Sequence, residues 1–393
     1  MTIPQVLIAH QGTIPHYRVR FYELLEERRP RDWEFRVVYD CAAAGRLEGE
    51  NLDQLDWRRF RFPLLDARPR RFSLAGRRVF WQQFFRLARH FDVLITDTHL
   101  TNLTYPACTL YRFLGQKQIL WGHTRNMNVV ALSAPQRLAQ KVKALWLRSS
   151  DAFFAYTEGS RREIVAAGMD PEKVFVLHNT IDTVGERAAF EELRPRRDAI
   201  RREMGLEGRR VLISVGRLRR DKRIAFLMET FARLYSADPS WHLILIGDGP
   251  ERPFAEEAAQ RLGPGAARVL GAVTRREELA PLYVASDLYI LTGFVGLGPL
   301  QAFCYDLPGV FFDTGTHSPE IEYVTDANAV MLPGDTTEQE AARRIPEILE
   351  HFSRPERRAA IYESICHLTL ENMVDRFIDG INFVLRDKAK SER

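Results

Sequence analysis

Val215-Gly216-Arg217-Leu218-Arg219-Arg220-Asp221-Lys222 closes one apolar run of this chain, and about eighty residues further on Gly293-Phe294-Val295-Gly296-Leu297-Gly298-Pro299-Leu300-Gln301-Ala302 follows another. Each stretch reads as a strand that ends in a turn and then opens a helix. The first strand covers 210–215, and helical spacing of apolar residues begins at Lys222 and runs to 235. A strand end, a glycine and the two fixed cations Arg217 and Lys222 make a site for a diphosphate. A helix start behind Gly296 and Gly298 makes a second place for an anion. Together they point to a ligand held through the phosphates of a nucleotide.

Outward from these stretches the same alternation fills the chain. Apolar strand patterns fall at 6–9, 35–39, 93–96, 119–121, 152–155 and 174–177, then at 211–215, 242–246, 287–291 and 309–312. Helical spacing falls between them at 17–27, 77–90, 135–148 and 158–167, then at 222–235, 251–262, 276–285, 298–305 and 337–350. Strands alternating with helices predict an α/β protein whose parallel sheets are covered on both faces. Residues 183–208 are highly charged and hold no apolar strand, so they read as a linker helix with a loop, after which a second doubly wound sheet starts near Arg210. Near the end, Met373, Phe377, Ile381 and Val384 recur at helical spacing. Two doubly wound sheets bind ligands at the carboxyl ends of their strands.

A length of 393 residues suits two domains rather than one core, and 45% hydrophobic with 27% charged residues describes a folded chain. No apolar run approaches the ~20 residues of a membrane-spanning helix. The start, Thr2-Ile3-Pro4-Gln5-Val6-Leu7-Ile8-Ala9, reads as a first strand rather than a signal peptide. Cys41, Cys108, Cys304 and Cys366 are scattered without metal-ligand spacing, which predicts reduced thiols, a cytoplasmic protein and no bound metal. The net charge of +4 hides an uneven distribution: from Arg58 to Arg89 there are ten arginines and a single acid, Asp66, with Phe60, Phe62, Phe72, Phe80, Trp81, Phe84 and Phe85 among them. Such a stretch suits an anionic membrane surface; a solvated helix face and, least, nucleic acid are the alternatives.

The ordered motifs carry a family likeness. Gly216-Arg217-Leu218 with Lys222 five residues beyond the arginine resembles the diphosphate clamp of retaining glycosyltransferases of family 4, which have the GT-B fold. Ile246-Gly247-Asp248-Gly249-Pro250-Glu251 resembles their GxGP turn, and Ala285-Ser286-Asp287-Leu288-Tyr289-Ile290 the strand before their signature loop. Ala302-Phe303-Cys304-Tyr305-Asp306-Leu307-Pro308 resembles the helix exit that follows it. Ser318-Pro319-Glu320-Ile321-Glu322 falls where the family places a glutamate after a turn. Val174-Phe175-Val176-Leu177-His178-Asn179-Thr180-Ile181-Asp182 is similar to the end of its first domain. One departure stands out. The family signature of two glutamates with seven residues between them falls here on Gly293 and Gln301, which points to a sub-branch similar to bacterial polysaccharide and capsule enzymes. The resemblance implies two Rossmann-like domains facing across a cleft. An acceptor-binding domain would cover 1–190, with a C-terminal helix at about 368–388 packing back on it, and a nucleotide-sugar domain would cover 205–367.

The resemblance also implies roles. Arg217 and Lys222 neutralise the departing diphosphate without a metal or other cofactor, and His123, after the strand ending at Trp121, is the third catalytic candidate. Gly216, Gly247, Gly249, Gly296, Leu297, Gln301, His317 and Glu320 form the donor side, with Gln301 turned to the ribose and Ser318 or Thr316 capping the helix of Glu320. His16, Arg18, Asp97, His99 and Arg125 are the acceptor candidates, and His178 with Asn179 are expected to brace the interdomain side. The expected activity is transfer of a hexose-type sugar, with retention, from a nucleotide-diphosphate sugar to a lipid-linked or polysaccharide-precursor acceptor, by a cytoplasmic protein peripheral to the inner face of a membrane. A catalytically silent partner subunit and a nucleotide-sugar epimerase are the alternatives.

Overall fold

The structure is a computed structural model and describes residues 3–9, 14–40, 57–74, 77–122 and 134–391. The chain divides into two units, Met1–Asn179 with Leu370–Arg393, and Thr180–Thr369. In the first unit the strands are β1 (Gln5–Ala9), β2 (Glu34–Tyr39), β3 (Leu64–Asp66), β4 (Pro69–Leu74), β5 (Arg77–Gln82), β6 (Val93–Asp97), β7 (Lys117–Gly122), β8 (Ala152–Ala155) and β9 (Val174–Val176). Among the described residues seven of them form a parallel sheet in the order β3-β2-β1-β6-β7-β8-β9, and β4 and β5 pair antiparallel as a separate hairpin. The middle strands are continuous apolar runs with no exposed surface, such as Val6-Leu7-Ile8-Ala9 and Phe153-Phe154. A parallel sheet covered on both faces requires this. The helix Leu370–Ser391 closes one face of that sheet: the Phe377 ring lies 4.5 Å from Phe154 and 5.2 Å from Trp121, and Trp33 Nε1 donates to Asn382 Oδ1 at 3.0 Å. A Cβ on Gly380 would stand 2.2 Å from the Phe154 ring, so this helix needs glycine where it rides over the ring.

The second unit holds β10 (Arg210–Val215), β11 (Trp241–Ile246), β12 (Ala267–Val269), β13 (Leu288–Ile290), β14 (Gly309–Asp313) and β15 (Ala329–Pro333), a parallel sheet in the order β12-β11-β10-β13-β14-β15. Both sheets reverse direction beside their first strand, at β1/β6 and at β10/β13, and loops leaving the carboxyl ends diverge at such a point to leave a crevice.

Three expectations are corrected. The helix expected at 77–90 is instead strand β5 followed by a short helix, Phe85–Ala88. Val79, Phe80 and Trp81 favour a strand, and in register with β4 the residues alternate between faces, with Val79 buried and Arg78 exposed. Residues 183–208 are no linker. They form the helices Thr183–Leu193 and Arg197–Glu203, and their charges are spent within the second unit. Arg276 bridges Asp182 at 2.6 Å and Glu186 at 2.9 Å, Arg197 meets Asp287 at 2.5 Å, and Phe190 and Ile200 enter the core. Finally, the helix expected from Lys222 begins at Ile224, because 220–222 form a tight turn and Arg223 sits in the left-handed region with φ 52°. The sequence reading also passed over β3, β12, β15 and the helix Pro355–Glu363, all short or flanked by charge.

Candidate functional site

Three loops meet at the β10/β13 reversal of the second sheet. The loop after β10 carries Gly216, Arg217 and Lys222. It is seated on the loop after β11 by Gly216 N–H to Ile246 O (2.9 Å) and Leu218 N–H to Asp248 O (2.9 Å), while Glu251 N–H donates back to Leu218 O (2.9 Å). Gly247 and Gly249 make this possible. Both lie at φ near +150°, and a Cβ there would approach Gly216 O to 1.8 Å and Leu218 O to 2.5 Å. Their visible work is to let backbone lie on backbone. Around Gly216 itself the space is open.

The loop after β13 closes onto the same turn. Phe294 N–H donates to Asp221 O at 2.8 Å, Thr292 Oγ1 donates to Lys222 O at 2.9 Å, and Lys222 Nζ donates to Phe294 O at 2.5 Å while lying 5.0 Å from the Phe294 ring centre. Burial brings the Lys222 ammonium down to about 8; Asp221 opposes the shift, and Arg219 and Arg217 add to it. Arg217 is exposed. From Gly296 to Gly298 the backbone N–H groups donate to no described residue, and Gly298 is required because a Cβ would meet Tyr289 Oη at 2.6 Å. Tyr289 in turn donates to Val215 O at 3.2 Å, tying the first loop to the third strand of the junction.

The loop after β14 completes the junction. His317 Nδ1 accepts from Val295 N–H at 3.1 Å, and Ser318 N–H donates to Val295 O at 2.9 Å. His317 is buried, and burial pushes its pKa down, with Lys222 adding to the shift. The neutral ring that results carries its proton on Nε2, which has no partner among the described residues. Glu320 is buried in the turn Pro319–Tyr323 and accepts a short hydrogen bond from the Ser318 hydroxyl. Ser318 therefore serves the carboxylate and not the expected cap; its side chain makes no capping bond.

The two signature positions have distinct fates. Gln301 keeps an amide, whose oxygen accepts from Tyr283 Oη at 3.3 Å, leaving the NH2 to donate. Gly293 has no room for a side chain: a Cβ would stand 2.1 Å from Asp221 O and 2.7 Å from Lys222 Cα. A carboxylate is thus not merely missing at 293; the clamp turn occupies its root. Thr292, Phe294, Tyr289 and Tyr283 build the junction and were not singled out from sequence, because their contribution depends on contacts between distant loops.

In the first unit, Asp97 ends β6. It accepts from His99 N–H at 2.7 Å and pairs with His99 Nδ1 at 3.1 Å. The carboxylate raises the His99 pKa, and burial raises that of Asp97. His16 starts the helix His16–Arg28 and is exposed. Arg18 is corrected as an acceptor residue. It is 1% exposed, donates to Asn179 Oδ1 and Met373 Sδ, and lies between 5.3 and 5.6 Å from the ring centres of Trp121, Tyr17 and Phe21. A guanidinium so enclosed braces the core of the first unit. Asn179 is its acceptor, and His178 precedes it in the left-handed region at φ 53°. His123 and Arg125 lie outside the described residues. Among the described residues no group of three His, Cys, Asp or Glu is arranged to hold a metal, and no helix is long and apolar enough to cross a membrane.

Comparison with known proteins agrees with this architecture. Residues 209–351 match the family model described as "Glycosyl transferases group 1", and residues 18–184 match that of "Glycosyltransferase Family 4". No curated protein matches the sequence. Among solved structures, Anabaena HepE in complex with UDP and glucose superposes with a TM-score of 0.66 at 15% identity, covering 97% of this chain and 100% of its own. The lipopolysaccharide outer core galactosyltransferase WaaB superposes at 0.62 and 13% identity, covering 96% and 99%. A putative UDP-N-acetylglucosamine 2-epimerase from Listeria monocytogenes superposes at 0.64 and 15% identity, covering 98% of both chains. At these identities the likeness is one of fold. The protein has the GT-B fold, and each of its two halves carries a glycosyltransferase domain; it is a GT-B glycosyltransferase.

Proposed function

We propose that the protein moves a hexose-type sugar from a uridine-diphosphate sugar to a lipid-linked or polysaccharide-precursor acceptor, with retention at the sugar carbon. The observation that carries this reading is the three-loop junction at the β10/β13 reversal, where Lys222 is held half-buried between the clamp turn and the Phe294 carbonyl. A diphosphate entering the junction replaces that carbonyl as the partner of Lys222, takes Arg217 as a second cation and meets the Gly296 and Leu297 amides. Gly216 leaves space for it. Gln301 donates to the ribose, and His317 and Glu320 stand on the sugar side.

In the reaction the bond from the sugar carbon to the diphosphate oxygen breaks, and the acceptor oxygen forms its bond on the same face. The acceptor proton passes to the departing phosphate oxygen, so no side-chain base is required. Arg217 and Lys222 stabilise the charge that develops on the diphosphate without a metal. Asp97, His99 and His16 are the acceptor-side groups; from sequence, Arg125 joins them and His123 is the third catalytic candidate. HepE, crystallised with UDP and glucose, supports uridine as the donor base, and WaaB supports a cell-surface glycan acceptor. The ten arginines of 58–89 with one acid among them, and Phe113 at 89% and Leu114 at 73% exposure, support a peripheral place on the inner face of a membrane.

One observation favours a second reading. The blocked position at Gly293 suits a catalytically silent partner that keeps the fold and lacks the donor. Thermal unfolding with UDP, GDP, ADP, CMP and dTDP separates the two. UDP at about 100 times its dissociation constant should add roughly 2.7 kcal/mol of stability, and Arg217→Ala should abolish the gain. No shift with any nucleotide would sink the transferase reading in favour of the silent partner.

A further inference from the structure

The hairpin of β4 and β5 is a chemical surface that the donor site leaves unused. Its register pairs Arg71 with Phe80 and Ser73 with Arg78. Side chains alternate across a strand, so these four share one face, and with Phe72 they line a cavity of about 420 Å³. The Arg71 guanidinium lies 5.9 Å from the centre of the Phe80 ring. Other exposed arginines do find carboxylates, as Arg28 does in Asp375 and Arg343 in Glu347. Arg71 and Arg78 have no carboxylate partner among the described residues.

The hairpin is also fastened in place. Phe80 N–H donates to Thr101 O at 2.8 Å, Leu103 N–H to Phe80 O at 2.9 Å, Gln82 N–H to Thr104 Oγ1 at 2.8 Å, and Asn102 Nδ2 to Gln82 Oε1 at 2.9 Å. The segment it holds follows β6, so the cationic face is bonded to the same loop that begins at Asp97 and His99.

We propose that this cavity binds the phosphate end of a lipid whose chain is joined directly to a terminal phosphate or diphosphate, as in a polyprenyl diphosphate, with Arg71 and Arg78 on the phosphate oxygens, the Ser73 hydroxyl donating a further bond, and Phe72 and Phe80 against the first carbons of the lipid chain. Two forks of N–H donors suit a phosphate better than a point charge does. The rings argue for a lipid over a free phosphate, since Phe72 stands 43% exposed beside the cations, where an apolar chain would cover it. The inference rests on the lipid-linked acceptor reading and locates the end of the acceptor that the reading left open.

Flotation of the whole protein with vesicles tests it. Vesicles of phosphatidylcholine doped with a polyprenyl diphosphate should carry the protein, and phosphatidylcholine alone should not. The double variant Arg71→Gln/Arg78→Gln should bind the doped vesicles at least about tenfold more weakly. Arg261→Gln/Arg343→Gln removes the same charge from exposed helices of the second unit and should bind as the parent does. Inorganic pyrophosphate should compete, and Phe72→Ser should weaken the lipid but not the pyrophosphate. Equal losses in the two arginine pairs, binding to plain phosphatidylcholine, or no binding by the parent would each overturn the proposal; an unaltered Phe72→Ser would overturn the lipid. The UDP shift, read on the same variants, reports the donor site and their folding: its retention with loss of flotation supports the proposal, and its absence in the parent counts against the donor reading alone.

Discussion

The two sheets share one topology, yet the carboxyl ends at their reversal points are built from different materials. At β10/β13 the loops touch through main chain: Gly216 on Gly247, Leu218 on Gly249, Phe294 on Asp221, Ser318 on Val295. Around β1/β6 side chains make more of the described contacts, Asp97 with His99 and Arg18 with Asn179 and three rings, and the hairpin, though joined to the loop after β6 by main chain, offers arginine side chains outward. A backbone-built end tolerates almost no substitution at its glycines but presents the same amides whatever the neighbouring side chains are, which suits a diphosphate common to many donors. An end built of side chains can change its ligand by changing a few residues, which suits an acceptor.

This contrast can be broken by experiment. The largest effect is expected at Phe377, whose ring packs on Phe154, Trp121 and Phe21. Phe377→Ala should cost about 3–5 kcal/mol, read by urea unfolding; a loss well under ~1 kcal/mol would mean that the C-terminal helix is not part of that core. Next comes the backbone-built end. Gly247→Ala forces a Cβ against Gly216 O and should destabilise by about 1–3 kcal/mol while removing the UDP shift; a folded variant with an intact shift would show that the two loops need not touch. Gly293→Glu, which returns the family carboxylate, should likewise abolish nucleotide binding instead of improving it.

A pH effect follows from Lys222. Its folded pKa, about 8, lies below that of an unfolded lysine, so the unfolded chain holds more protons above pH 8. This group's contribution to fold stability therefore rises from about pH 8 towards the ordinary lysine value. Affinity for UDP moves the other way and should fall as the ammonium is lost, approaching about tenfold per pH unit. Lys222→Arg should flatten that profile; a profile unchanged by it would remove Lys222 from the site. The smallest effect belongs to Asp97→Asn. The raised His99 pKa means that the pair stabilises below the ordinary histidine range and stops doing so as pH rises through the raised value. With the His99 side chain 70% exposed, the loss should stay within about 1 kcal/mol, seen as a lower His99 pKa by NMR with the UDP shift intact.

The same contrast explains what could be read from sequence. The β10 and β13 loops were legible because glycines mark close backbone approaches and apolar runs mark their strands. The fate of Gly293 was not, since it depends on where the turn of Asp221 and Lys222 comes to rest. In the first unit Arg18 read as an acceptor residue because nothing near it in sequence announces Asn179, Met373 or Trp121 as neighbours. The hairpin hid behind its arginines: residues 77–90 carry apolar groups at intervals that fit a helix, and only pairing with β4 selects the two-residue period. Residues 183–208 looked solvated because their acids find partners such as Arg276 far along the chain.

The path of the chain has a consequence for how the protein is made. Leu370–Ser391 supplies Met373, Phe377 and Ile381 to the core that begins with Val6 and Phe21, and all of the second unit is encoded between them. A ribosome therefore emits every residue of the second unit before it emits the helix that completes the first. The N-terminal sheet waits, one apolar face uncovered, while the later unit can already close, and a premature stop just before Leu370 leaves a finished nucleotide-binding half joined to an unfinished partner.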